Sequence, residues 1–367
     1  MKTWHNELPF SPSNQISDEI FTESSLFFDI ETTGFSPAHT SLYLIGCARR
    51  IGNTLHIDQF FAEEPKEEAD VLLAFLELIS SYSVIISFNG VGFDLPYLKA
   101  KCEQYQLTDP FANFEYLDIF KIVSQYKFLF QLPNYKQKTV EHFLGIRRED
   151  TFDGGQLIPI YRDYVKKKSS DTLSFLKLHN YEDVIDMVDL LPVLTYPRLF
   201  TGNYSILSLE CVPFSSFDGS SNGTDLIFTL QYDFFVPQRV SCRFQDIHLT
   251  AYQNVLKLAV RIYEGELKFF YPNPKDYFYL PNEDRAIHKS VASYVEKEFR
   301  QKAKPATCYN RKCSVFLPQF SDIMHPAFRK EYKDKISYFE LTDDFSNSDE
   351  LLHRYISHLL LQFTKKK

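Results

Sequence analysis

The chain has 367 residues, is 44% hydrophobic and 16% aromatic, and carries a net charge of −8. Its length allows two domains, and its apolar content supports filled cores and excludes an intrinsically disordered chain. The acidic balance argues against a protein that holds long duplexes by charge alone, although carboxylates that bind cations contribute negative charge of this kind.

In chain order, residues 1–20 read as a polar N-terminal extension without the apolar core of a signal peptide. Leu26–Glu31 reads as a first strand, and Ser41–Arg50 and Thr54–Ala62 as a second and third joined by a turn at Gly52-Asn53. Val71, Leu72, Phe75, Leu76 and Ile79 follow helical spacing within Glu67–Ser80. Tyr82–Phe88 is expected as another strand, and after Gly90 and Gly92 the run FDLPYLKAKC opens a helix. The order β-β-β-α-β-α is the start of a ribonuclease-H-like α/β arrangement, a mixed sheet flanked by helices. Leu117–Lys127 reads as a strand end entering a helix, and Ile158–Lys168 and Thr172–Val193 as helices. Pro192 and Pro197 close a first domain expected over 21–198.

Residues 199–367 are expected as a second, α+β domain of unassigned role. A loop spans Phe214–Thr224, alternating strands pass through Leu226–Tyr232 and Leu256–Ile262, and Glu264-Gly265-Glu266 turns a hairpin. Ile287, Val291, Tyr294, Val295 and Phe299 predict an amphipathic helix over Arg285–Gln301, and a last helix is expected over Asp349–Phe363. Tyr309-Asn310-Arg311-Lys312, with His288, reads either as an exposed loop or as a nucleic-acid clamp. The six cysteines lack metal-ligand spacing and are expected as reduced thiols of a cytoplasmic protein. No segment has the apolar run of a membrane span.

The chemistry centres on Leu26–Gly34, LFFDIETTG. Asp29 and Glu31 are two apart on a strand and so project from one face, where they repel unless a proton or a cation intervenes. A divalent metal and a strand end reaching solvent are both consistent with that pair. Asp94 lies where the glycine-loosened loop FNGVGFD enters a helix, as a further ligand or as a helix N-cap. In LHNYEDVIDMVDL, His179 and Asp183 are four apart and share a helical face, suiting either a base beside a metal ligand or a solvated acidic face. Tyr181 projects almost oppositely to Asp183 and is set aside.

The ordered set D-x-E, Asp, then H-x-x-x-D resembles the DEDD superfamily of metal-dependent 3′→5′ exonucleases over about Ser25–Leu194. Within it, LGIRREDTFDGG and the H-N-x-x-D form are similar to bacterial YprB-type ribonuclease-H-like proteins. The resemblance implies two-metal phosphodiester hydrolysis with Mg²⁺ or Mn²⁺ held by Asp29, Glu31, Asp94 and Asp183. It implies His179 as the base, at the spacing where one superfamily branch has tyrosine. Thr32, Phe88 and Asn89 are expected to hold the terminal nucleotide of single-stranded DNA or RNA at a 3′ end. Arg147 and Arg148 are open to pairing with a phosphate or with Glu149 and Asp150. A nucleic-acid-binding scaffold with a vestigial site, and an endonuclease on the same fold, are the alternatives.

Overall fold

The N-terminal residues are not an extension: in the computed structural model, which describes residues 1–215 and 222–365, Lys2–Pro9 forms strand β1. Their polar look hides a period of two, with Trp4 and Leu8 half-buried and His5 and Glu7 exposed. Trp4 packs on Phe61 with ring centroids 5.6 Å apart. Helix α1 (Gln15–Ile20) follows, its first turn capped by the Asn14 side chain.

Five more strands complete the sheet: β2 (Ser25–Thr32), β3 (Leu42–Ile51), β4 (Thr54–Phe61), β5 (Val84–Ser87) and β6 (Glu115–Asp118). The sheet order is β1-β4-β3-β2-β5-β6. The first four strands pair antiparallel, and β5 and β6 join parallel to β2. The carboxyl ends of β2, β5 and β6 therefore open on the same sheet edge, the usual place for a site in α/β folds.

Seven helices accompany these strands: α2 (Glu68–Ile79), α3 (Asp94–Gln104), α4 (Ile119–Gln125), α5 (Lys127–Phe130), α6 (Gln137–Leu144), α7 (Gly154–Lys167) and α8 (Ser170–Leu190). On α2 the residues Val71, Leu72, Phe75 and Ile79 are buried, as their spacing predicts. Phe75 meets Phe28 of β2 at 5.4 Å. A buried ion pair, Lys101 to Glu68 at 2.8 Å, ties α3 to α2, and Glu68 also accepts the backbone N–H of Leu42 at 2.6 Å. The Glu68 carboxylate thus joins two helices to β3.

One glycine sets how closely α8 can lie on the sheet. Gly46 of β3 stands opposite Asp29 of β2. A Cβ there would meet Asn180 Oδ1 at 2.2 Å and Val184 Cγ2 at 2.7 Å. Any larger residue would push α8 off β3 and carry its polar face away from Asp29.

The contacts divide the chain into two units, 1–199 with 234–239, and 200–233 with 240–367. The second unit is rich in strands: β7 (Ser205–Ser215), β8 (Asn222–Phe244), β9 (Ile247–Arg261), β10 (Tyr263–Phe270), β11 (Tyr277–Leu280), β12 (Arg285–His288), β13 (Gln301–Lys302), β14 (Tyr309–Gln319) and β15 (Ser337–Glu340). They form three sheets, β7-β8-β9, β10-β14-β15 and β12-β11-β13. Of the loop expected over Phe214–Thr224, residues 216–221 lie outside the described residues, while its ends pair as β7 and β8. The terminal helix Asp349–Thr364 buries Leu352, Tyr355, Ile356, Leu359 and Phe363.

Two expectations fail in this unit. The helix over Arg285–Gln301 is replaced by β12, two short helical turns (Lys289–Ala292 and Lys297–Phe299) and β13. Its stripe is not a buried face, since Tyr294 is 91% exposed and Val291 56%. Arg285–His288 instead gain a ladder against Tyr277–Leu280. The loop expected at Tyr309–Lys312 is instead the start of β14, paired with β10, with Tyr309 buried and its hydroxyl donated to Asp284. Arg311 pairs with Glu266 at 3.3 Å and Lys312 with Glu340 at 2.6 Å, so both cations are engaged within the protein. Among the described residues, no helix is long and apolar enough to cross a membrane.

Candidate metal centre

Asp29 and Glu31 project from the carboxyl end of β2, and Glu31 is buried. Asp94 is the first residue of α3 rather than its cap, a position taken by Phe93. The backbone N–H of Ile30 is near enough to the Asp94 carboxyl to favour its ionised form, which sets the start of α3 beside β2. His179, Asn180 and Asp183 come from a single face of α8. The Asn180 amide donates to Asp29 Oδ2 at 3.2 Å while its carbonyl accepts from Gln59 at 3.0 Å. The structure thus brings Asp29, Glu31, Asp94, His179 and Asp183 together from three elements.

His179 sits between two of the carboxylates. Its Nε2 lies 3.2 Å from Glu31 Oε1 and 3.1 Å from Asp183 Oδ2, while its Nδ1 lies 2.6 Å from Asp150 Oδ2. Burial alone would lower the imidazole pKa, but the hydrogen bonds to Asp183 and Glu31 raise it to about 11. The ring is therefore a cation among carboxylates when no metal is bound there.

The carboxylates divide into two kinds. Burial, then repulsion from Asp183, Asp94 and Glu31, pushes Asp29 well above the usual carboxylate range. Burial likewise raises Glu31, and raises Asp94 to about 7. Burial opposes ionisation of Asp183 too, but His179 and Arg148 outweigh it and hold that carboxyl low. Three carboxylates, half-buried Asp29 and buried Glu31 and Asp94, are thus raised together at one point, with only His179 beside Glu31 to offset them. Oxygen donors in this state suit a hard divalent cation such as Mg²⁺ or Mn²⁺.

Arg148 settles the question left open by its sequence neighbours. It is largely buried, and its guanidinium reaches Asp183 at 2.5 Å, Glu141 at 3.2 Å, Glu182 at 3.5 Å and Asp186 at 3.7 Å. It is a structural cation inside the acidic end of α8, committed to side chains rather than to a phosphate.

A cleft of about 730 Å³ runs beside the cluster, lined by His179 and Asp183 together with Phe88, Asn89, Phe120 and Tyr135. Lys127, Lys136 and Lys138 also line it. Phe88 faces Phe120 with centroids 5.9 Å apart. Asn89 has a left-handed backbone, φ 66°, and its N–H donates to Asp118 Oδ1 at 2.9 Å. Thr32 is not part of this lining, and its hydroxyl donates to the Gly34 carbonyl at 2.8 Å.

Sequence reasoning passed over three supports of the site. Asp150 holds the second nitrogen of His179, Asn180 holds Asp29, and Asp118 both caps α4 and binds the backbone of Asn89 and Val91. An aspartate at a strand-to-helix junction was the legible signal for Asp118. Asp150 had none, since it lies in a turn 29 residues before the histidine it holds.

Residues 26–195 match the family model described as RNase_H superfamily. Comparison with curated proteins found no significant match. Among solved structures, the family B DNA polymerase from the archaeon Pyrobaculum calidifontis is similar at 17% identity, covering 48% of this chain and 24% of the polymerase, with a TM-score of 0.37. E. coli exonuclease I in complex with a dT13 oligonucleotide is similar at 13% identity, covering 57% of this chain and 55% of that one, with a TM-score of 0.33. The chain thus spans about a quarter of the polymerase and about half of the exonuclease. By its mixed sheet, its flanking helices and this family match, residues 26–195 form a domain of ribonuclease-H-like fold.

Proposed function

We propose that the first unit is a divalent-metal-dependent nuclease that hydrolyses phosphodiester bonds of single-stranded nucleic acid from a 3′ end, with affinities to the YprB-type subgroup. The observation that carries this reading is the cluster of three carboxylates, half-buried Asp29 and buried Glu31 and Asp94, raised by desolvation beside a cleft of aromatic and basic side chains. Asp29, Glu31, Asp94 and Asp183 would hold two Mg²⁺ or Mn²⁺ ions, which supply charge stabilisation and an activated water when bound.

The chain's own residues do the rest. Asp150 holds the His179 ring so that Nε2 faces the gap between Glu31 and Asp183, where it orients a water or takes its proton. Phe88 and Phe120 offer faces for base stacking, and the lysines of the cleft attract the strand. Asn89 contacts the terminal nucleotide, and Thr32 braces the turn after β2.

The test uses end-labelled single-stranded DNA and RNA with Mg²⁺ or Mn²⁺. Release of nucleotides from the 3′ end is expected. Asp29→Asn should lower it at least about a thousandfold, some 4 kcal/mol of transition-state stabilisation, without unfolding the chain. Cleavage of a circular substrate would identify an endonuclease instead. No cleavage under either metal, or cleavage that survives Asp29→Asn, overturns the reading.

A further inference from the structure

On the opposite side of the sheet's β1 edge from Trp4, two imidazoles and a carboxylate meet. His5 Nε2 lies 3.0 Å from Glu7 Oε1, and His56 Nδ1 lies 3.5 Å from both. The three atoms form a triangle. A tetrahedral zinc site with bonds of 2.0–2.1 Å has ligand-to-ligand edges of about 3.3 Å. The triangle therefore matches one face of such a site.

The arrangement is held by the backbone rather than by chance side-chain positions. His5 stands directly opposite Asp58, and Glu7 directly opposite His56, in the antiparallel β1–β4 ladder. Residues 5 and 7, and 56 and 58, each share a face of their strand. Four functional side chains thus sit on a two-by-two grid fixed by main-chain hydrogen bonds.

The fourth corner points to a ligand. Asp58 is nearly buried, and its Oδ1 lies 2.7 Å from His5 Nδ1 while its Oδ2 accepts from Arg49 Nε at 2.8 Å. A carboxylate on Nδ1 places the proton there and turns the Nε2 lone pair outward. That is the support a metal-bound histidine ordinarily has. Two nitrogen donors and one oxygen favour a borderline cation such as Zn²⁺ or Co²⁺ over Mg²⁺, which takes six oxygens.

We propose that His5, Glu7 and His56 form a second metal site, for a divalent cation of the zinc class, with Asp58 as its supporting carboxylate and an open fourth position toward solvent. The bound cation clips edge strand β1 onto β4. This site is independent of the carboxylate cluster on β2 and α8, and it does not rest on the proposed nuclease activity.

The experiment titrates Zn²⁺ by calorimetry and Co²⁺ by visible absorption into the full chain, with Mg²⁺ in excess throughout. His56→Ala should remove one equivalent of bound cation, and Asp58→Asn should weaken that equivalent by about 10–100-fold. Asp183→Asn should leave it in place. Zn²⁺ should also raise the melting temperature of the wild type and not that of His56→Ala, because a cation bound only by the native state stabilises it. Glu7→Gln, at an exposed position, serves as a second variant should His56→Ala fail to fold. Equal uptake by the wild type, His56→Ala and Glu7→Gln, or a melting temperature that Zn²⁺ leaves unchanged, overturns the proposal.

Discussion

Nδ1 of His179 lies 2.6 Å from Oδ2 of Asp150, and this contact fixes which nitrogen of the ring faces Glu31 and Asp183. Asp150 is itself held by Lys138 at 2.6 Å. Removing its charge should loosen the ring without touching the substrate. Asp150→Asn is expected to lower kcat about 10–100-fold while leaving KM nearly unchanged, the pattern of a positioning residue. Steady-state kinetics checks it, and a wild-type kcat would show that the ring orients without this partner.

The acidic cluster makes the metal-free protein sensitive to pH in a definite direction. Asp94 is raised from 3.8 to about 7 by burial, so between these values the native state holds a proton that the unfolded state has lost. Its contribution to stability is present below about pH 3.8 and is lost as pH rises through about 7. Glu31 and Asp29 are raised too and act in the same sense. Asp183 and Asp150 are held low and act oppositely, losing their contribution only as pH falls through their lowered values. With EDTA present, stability should therefore contain a component that falls as pH rises from about 4 to about 8. Mg²⁺ should restore it, and Asp94→Asn should flatten the slope. Melting temperatures across that range, with and without Mg²⁺, are the measurement.

Gly46→Ala tests how closely α8 must lie on β3. The added Cβ would stand 2.2 Å from Asn180 Oδ1, in a side chain that is fully buried and already bonded to Gln59 and Asp29. Overpacking of this kind costs about 1–3 kcal/mol. Denaturant unfolding should show that loss, together with weaker divalent-cation binding, because Asn180 and Asp183 move as one rigid piece.

Arg148→Ala should be more damaging still. It leaves Glu141 and Asp183 without their cation, and breaking a buried ion pair by removing one partner costs about 3–5 kcal/mol. Arg148→Lys should recover only part of this, since an ammonium cannot span the directions that one planar guanidinium serves. Chemical denaturation of the three proteins checks the order wild type, Lys, Ala.

Much of the first unit was legible in its sequence because its elements obey local rules. The helical spacing of Val71, Leu72, Phe75 and Ile79 and the two-residue spacing of Asp29 and Glu31 need no tertiary knowledge. The fourfold spacing of His179 and Asp183 on α8 is of the same kind. What stayed hidden depends on contacts distant in sequence. Trp4 and Leu8 look like part of a polar tail until β4 is there to receive them. Arg148 was noticed, but only the folded position of α6 and α8 decides that it meets Glu141 and Asp183. In the second unit, Ile287, Val291 and Tyr294 satisfied a helical period, but Ile287 pairs in a strand with β11 while Val291 and Tyr294 are left exposed.

The placement of His179, Asn180 and Asp183 on the single rod α8 has a consequence for insertions and deletions. Each residue of an α-helix advances the angle by about 100°. Deleting one residue between Leu176 and His179 would therefore turn these three side chains together by about that angle relative to the preceding turns, bringing apolar neighbours such as Val184 toward Glu31. The helix behaves as a key whose teeth are cut in phase: individual teeth can be filed by substitution, but a change of one in their count stops the key from entering at all.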